Sequence, residues 1–140
     1  MQEIKASTSL RMRRLGIALG IIACGLALRL GGYEIGLPYL LVKYGGSTLW
    51  GAMVYFLLGL LLPRQPLIRL AFLAVVIAAL VEFSRLYHTP WLDEFRLSLA
   101  GALLLGRIFS WWNILAYAAG IALAALFEAR GVTHAGRAPD

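Results

Sequence analysis

Residues 67–87 read LIRLAFLAVVIAALVEFSRLY, and this stretch decides the fold class. From Leu70 to Val81 twelve consecutive side chains are apolar. A helix on the surface of a soluble protein would show polar residues at every third or fourth position, and none interrupts this run. With its flanks the segment reaches the roughly 20 residues that cross a hydrocarbon layer about 30 Å thick. It then meets Glu82 and Arg85, two charges three residues apart on one helix face.

Three other apolar stretches behave alike, at Leu15–Leu28, Leu49–Leu62 and Ile114–Phe127. Snorkelling arginines and aromatic anchors extend them, so the expected spans are 13–30, 47–63, 67–87 and 111–129. The shorter run Leu97–Leu105, bounded by Arg96 and by Gly106-Arg107, predicts a re-entrant or interfacial helix over about 97–106. The expected fold is therefore an all-α integral membrane protein with about four transmembrane helices. A single helical domain occupies 13–129, between a basic cytoplasmic segment 1–12 and a polar cytoplasmic tail 130–140.

Composition agrees. Of 140 residues 61% are apolar and 14% charged, with mean hydropathy +0.78. Globular domains carry about 45–50% apolar and about 25% charged residues, and one this small could not hide such an excess. A soluble enzyme, a disordered chain and a disulfide scaffold are excluded.

The net charge of +6 resolves by position. Lys5, Arg11, Arg13, Arg14, Arg64, Arg69, Arg130 and Arg137 flank one side of the predicted spans, with Glu3, Glu128 and Asp140. Eight bases less three acids give about +5 there, against about +1 for five bases and four acids opposite. The positive-inside rule then places both termini in the cytoplasm, a parity that four spans satisfy. The basic pI marks orientation, and nucleic acid is not an expected partner; the bilayer is.

Smaller features follow. Trp50, Trp91, Trp111 and Trp112 are expected as interfacial anchors at the outer ends of spans. Gly16/Gly20 and Ala116/Gly120/Ala124 offer faces for close helix packing. Ile21-Ile22-Ala23-Cys24 has the form of a lipoprotein cleavage box, but the apolar run continues to Leu30. An uncleaved span with Cys24 as a small packing residue is the preferred reading.

Charge inside a membrane is expensive and tends to be functional. Glu82 lies thirteen residues past Arg69, about 20 Å along a helix, which puts it in the outer third of the membrane. Arg29 and Lys43, with Arg85, Asp93, Arg96, Arg107 and Asn113, fall at the same level. Together with Glu82 they form the candidate ligand-binding set. Forked guanidinium groups could grip a phosphate or carboxylate of an anionic lipid or lipid-linked precursor. Glu82, if desolvated, is the one candidate catalytic base. The competing reading is structural: Glu82 neutralised by Arg85 or Arg29, and Asp93 by Arg96.

No His-Glu-x-x-His, Gly-x-Ser-x-Gly or phosphate loop occurs, and His88 and His134 are far apart. No metal or cofactor is expected. A binding protein, a membrane-embedded enzyme using Glu82 and a small transporter remain the candidate functions, in that order.

Three segments carry a resemblance. They are Lys43-Tyr44-Gly45-Gly46-Ser47-Thr48-Leu49-Trp50, Val81-Glu82-Phe83-Ser84-Arg85-Leu86-Tyr87 running to Pro90-Trp91-Leu92-Asp93 and Arg96, and Leu105-Gly106-Arg107-Ile108-Phe109-Ser110-Trp111 leading to Asn113, Tyr117 and Gly120. In order and spacing they resemble a bacterial membrane family known as domain of unknown function 2809, over roughly 15–129. The second half also resembles the VanZ-like family associated with teicoplanin resistance. Glu82, Gly106-Arg107 and Gly120 match its pattern, whereas Arg85, Asn113 and Tyr117 stand where Gln, Asp and Asn are usual. The resemblance implies a multi-span protein of the bacterial inner membrane, with Glu82, Arg107 and Asn113 close together near the outer face. It brings no reaction.

Overall fold

The computed structural model describes residues 1–135, with side chains through Val132. Arg137 and Asp140 lie outside the described residues, as does the side chain of His134. The elements are α1 (Gln2–Gly31), α2 (Tyr39–Leu61), α3 (Leu67–Ser84), α4 (Pro90–Leu97), α5 (Leu99–Leu104) and α6 (Trp111–Ala135). Among the described residues four helices are long and apolar enough to cross a membrane: Gln2–Gly31, Tyr39–Leu61, Leu67–Ser84 and Trp111–Val132. They fit a multi-pass membrane protein.

Proline and glycine set the boundaries. Pro38 and Pro66 occupy the caps immediately before α2 and α3, and Pro90 opens α4. The turn after α1 closes through hydrogen bonds from Gly36 N–H to the Tyr33 carbonyl and from Leu37 N–H to the Gly32 carbonyl. The predicted span edges shift where helix formers continue the pattern. Segment 1–12 is helical because no proline or glycine precedes Gly16, so α1 starts at Gln2. Likewise α2 starts at Tyr39, eight residues before the expected 47.

The α2 helix is central: it packs against α1, α3 and α6, and α3 also packs against α6. The α2–α6 seam is close enough that a Cβ on Gly120 would strike the Thr48 carbonyl, and one on Gly51 the Tyr117 carbonyl. Of the two small-residue faces expected, the one on α6 is a packing seam. Gly16 and Gly20 meet nothing and are exposed on the outside of α1. Cys24 is also exposed rather than packed, since the buried face of α1 runs through Arg14 and Ala18.

Tyr55, Phe56, Leu70, Ala74, Ala78, Tyr117 and Ile121 form the core. Two stripes carry polar groups into it. On α3 the buried positions are Leu70, Ala74, Ala78 and Glu82, each four residues apart. On α6 they include Asn113, Tyr117, Ile121, Ala124 and Glu128. Glu82 therefore sits at the end of a helix face whose other members pack the core.

Candidate functional site

Glu82 is fully buried at the end of α3. Its Oε1 accepts from the Ser110 backbone N–H at 2.7 Å, Arg85 Nη1 at 2.9 Å and Asn113 Nδ2 at 3.1 Å. Its Oε2 accepts from the Tyr117 hydroxyl at 2.9 Å and faces Arg85 Nη1 at 2.7 Å. Every donor comes from the α3 end or from the start of α6. The carboxylate thus ties α3 to α6, and its lone pairs are taken up. The partner is Arg85; Arg29 is exposed and makes no bond to it.

Arg85 reaches further. Its Nε donates to the Leu105 carbonyl at 2.6 Å, Nη1 to the Ile108 carbonyl at 3.1 Å and Nη2 to the Tyr117 hydroxyl at 2.8 Å. Gly106, at φ 68°, lets the chain turn over this guanidinium, where a Cβ would meet Nη2 at 2.5 Å. Arg85, Asn113 and Tyr117 all bond to Glu82. A second acid at position 113 would face Glu82 directly, whereas the amide there donates to it.

Arg96, on α4, is buried and caps the end of α3. It donates to the Ser84 carbonyl at 2.5 Å, the Tyr87 carbonyl at 2.8 Å and Asp93 Oδ1 at 3.1 Å. Asp93 also meets His88 Nδ1 at 3.1 Å. Desolvation raises the Asp93 pKa, but hydrogen bonds from His88 and Arg96 and their charges outweigh it, leaving the carboxyl below its ordinary value. The expected Asp93–Arg96 pair is present. Two of the three Arg96 hydrogen bonds nevertheless go to backbone carbonyls, which have no signature in the sequence.

In front of this network lies a cavity of about 980 Å³. Arg29, Lys43, Arg85, Asp93, Arg96, Arg107 and Asn113 line it; Glu82 stands behind the wall. Ile21, Ile22, Leu26 and Met53 supply apolar surface on one side, and Leu97, Leu103 and Leu104 on the other. Within the stretch 97–106, expected as a re-entrant or interfacial helix, α5 covers only Leu99–Leu104. It is set off from α4, which ends at Leu97, by Ser98, whose Oγ caps α5 by accepting from Gly101 N–H. Among the described residues the side chains of Arg29 and Arg107 have neither hydrogen bond nor ion pair. The Lys43 ammonium rests over the rings of Tyr44 (5.2 Å) and Tyr39 (5.6 Å).

Trp50 corrects an expectation. It lies eleven residues into α2 and not at a span end, packed on Tyr117 with ring centroids 4.9 Å apart. Its indole N–H and Arg96 Nε are buried donors with no partner.

A second polar cluster was not among the candidate residues. Arg14 and Glu128, read from sequence as topology charges, form a buried ion pair at 2.7 Å. Arg14 Nη1 also donates to the Gly59 carbonyl at 2.6 Å, and the Tyr55 hydroxyl to Glu128 Oε2 at 2.7 Å. The available signal was periodicity, since Glu128 continues the α6 stripe of Asn113, Tyr117, Ile121 and Ala124. Among the described residues no three His, Cys, Asp or Glu side chains are grouped to hold a metal.

A protein-family profile described as Protein of unknown function (DUF2809) matches residues 37–121, more than half of the chain, and the chain belongs to that family. The match includes the whole Glu82 network but neither Arg14 nor Glu128. No solved structure matches the chain.

Proposed function

We propose that this family member binds an anionic amphiphile drawn from the bilayer and does not transform it. The observation that carries this reading is the cavity, apolar on its flanks and bearing three cations, Arg29, Lys43 and Arg107, that enter no ion pair. Acyl chains would lie against the α1 and α5 walls, and the headgroup would take the cations. Arg85 and Arg96 hold the walls in place through carbonyls and acids.

A base role for Glu82 has less support, because a carboxylate holding five donor contacts has no lone pair left for a substrate proton. The basic end of the bundle, with Arg11, Arg13 and Arg64, is placed in the cytoplasm of a bacterial inner membrane, which puts the cavity near the outer leaflet.

The test is lipid carried through purification. Mass spectrometry of wild type should find anionic lipid retained, and Arg107→Ala and Arg29→Ala should retain several-fold less while remaining folded. Identical lipid content in all three would contradict the reading.

A further inference from the structure

The cations on the cavity wall are not equivalent. Arg85 is matched by Glu82 at 2.7 Å and Arg96 by Asp93 at 3.1 Å. Arg29, Lys43 and Arg107 have no acid partner, and the nearby acids Glu34 and Glu94 do not line the cavity. Five cations less two acids leave a surplus of three positive charges around one space. Beside a hydrocarbon layer such a surplus is costly unless an anion meets it.

Resting on the proposal that the cavity holds an anionic amphiphile, we infer that its headgroup carries at least two negative charges, as a terminal phosphate monoester or diphosphate. A phosphodiester, singly charged, would leave two cations uncompensated. A terminal phosphate also presents more free oxygens to the forked guanidinium groups.

The experiment embeds the full chain in phosphatidylcholine nanodiscs at about pH 8, where a phosphate monoester is largely dianionic. Phosphatidate and phosphatidylglycerol of matched chains are titrated in, and occupancy is read by native mass spectrometry. One extra ion pair in a partly desolvated site corresponds to a preference for phosphatidate of about tenfold or more. Arg107→Gln and Arg29→Gln, both at exposed positions, should each reduce that preference to about threefold or less while phosphatidylglycerol still binds.

Equal occupancy by the two lipids would overturn the charge inference and leave the anionic-lipid reading standing. Binding of neither lipid above the phosphatidylcholine background would remove that reading itself. Inorganic pyrophosphate is the remaining arm. It should displace phosphatidate only at much higher concentration, because it gains nothing from the apolar walls; displacement at equal concentration would overturn the assignment to a lipid.

Discussion

Glu82 and Glu128 are built alike and placed differently. Each carboxylate is buried, each is paired with an arginine at 2.7 Å, and each accepts from a tyrosine hydroxyl. Fifteen residues of α6, about 22 Å, separate Asn113 beside Glu82 from Glu128 itself. At the Glu128 end the arginine comes from another helix, 114 residues away in the chain, and the cluster is closed by the Gly59 carbonyl. At the Glu82 end the arginine is three residues along, and it passes its other donors to the Tyr117 hydroxyl and to a loop that walls a cavity. A buried acid in a membrane helix is commonly taken as a functional site. Here the same chemistry serves at both ends as a clasp between helices, and what distinguishes one end is the cavity with its unpaired cations.

The comparison breaks most sharply at Arg14. Arg14→Ala would strand a buried Glu128 charge at a cost of about 3–5 kcal/mol. Chemical unfolding in detergent should show this loss, while the folded fraction binds anionic lipid as wild type does. Loss of lipid affinity in that fraction would mean that the two ends are not separate.

At the other clasp, Glu82→Gln retains the shape but removes the charge opposite Arg85, at a cost of about 1.5–3 kcal/mol. Because Arg85 also holds the Leu105 and Ile108 carbonyls, lipid affinity should fall together with stability. A third substitution tests the seam between the clasps. Gly120→Ala pushes a methyl group into the Thr48 carbonyl and should cost about 1–3 kcal/mol. In a helix-packing assay it should loosen α2 from α6 at both ends.

The smallest effect concerns Asp93. Its folded-state pKa lies below 3.8, so its ion pairs stabilise the fold above that value and are lost as pH falls through the lowered one. Thermal unfolding of wild type and Asp93→Asn should differ near neutrality and converge in acid. A difference that persists unchanged in acid would contradict the assignment.

Four spans were legible because continuous apolar runs leave no other placement, and the Glu82–Arg85 and Asp93–Arg96 pairs were legible because they are three residues apart. Arg14–Glu128 was not, since nothing local links residues 114 apart and each also reads as a topology charge. Trp50 was misplaced because the start of α2, Tyr39–Gly46, mixes polar and apolar residues and looks like a loop. The work of Arg85 and Arg96 was hidden for another reason: they bind backbone carbonyls, which every residue supplies.

The most direct measurement compares the melting of wild type and Arg107→Gln with and without phosphatidate. Arg107 is exposed and makes no bond within the described residues, so without lipid the two should melt within about 0.5 kcal/mol of each other. Lipid should raise the Tm of wild type clearly more than that of Arg107→Gln, because the stabilisation a ligand brings grows with its affinity for the fold. An equal rise in both proteins would contradict the claim that the unpaired cations of this cavity hold the headgroup.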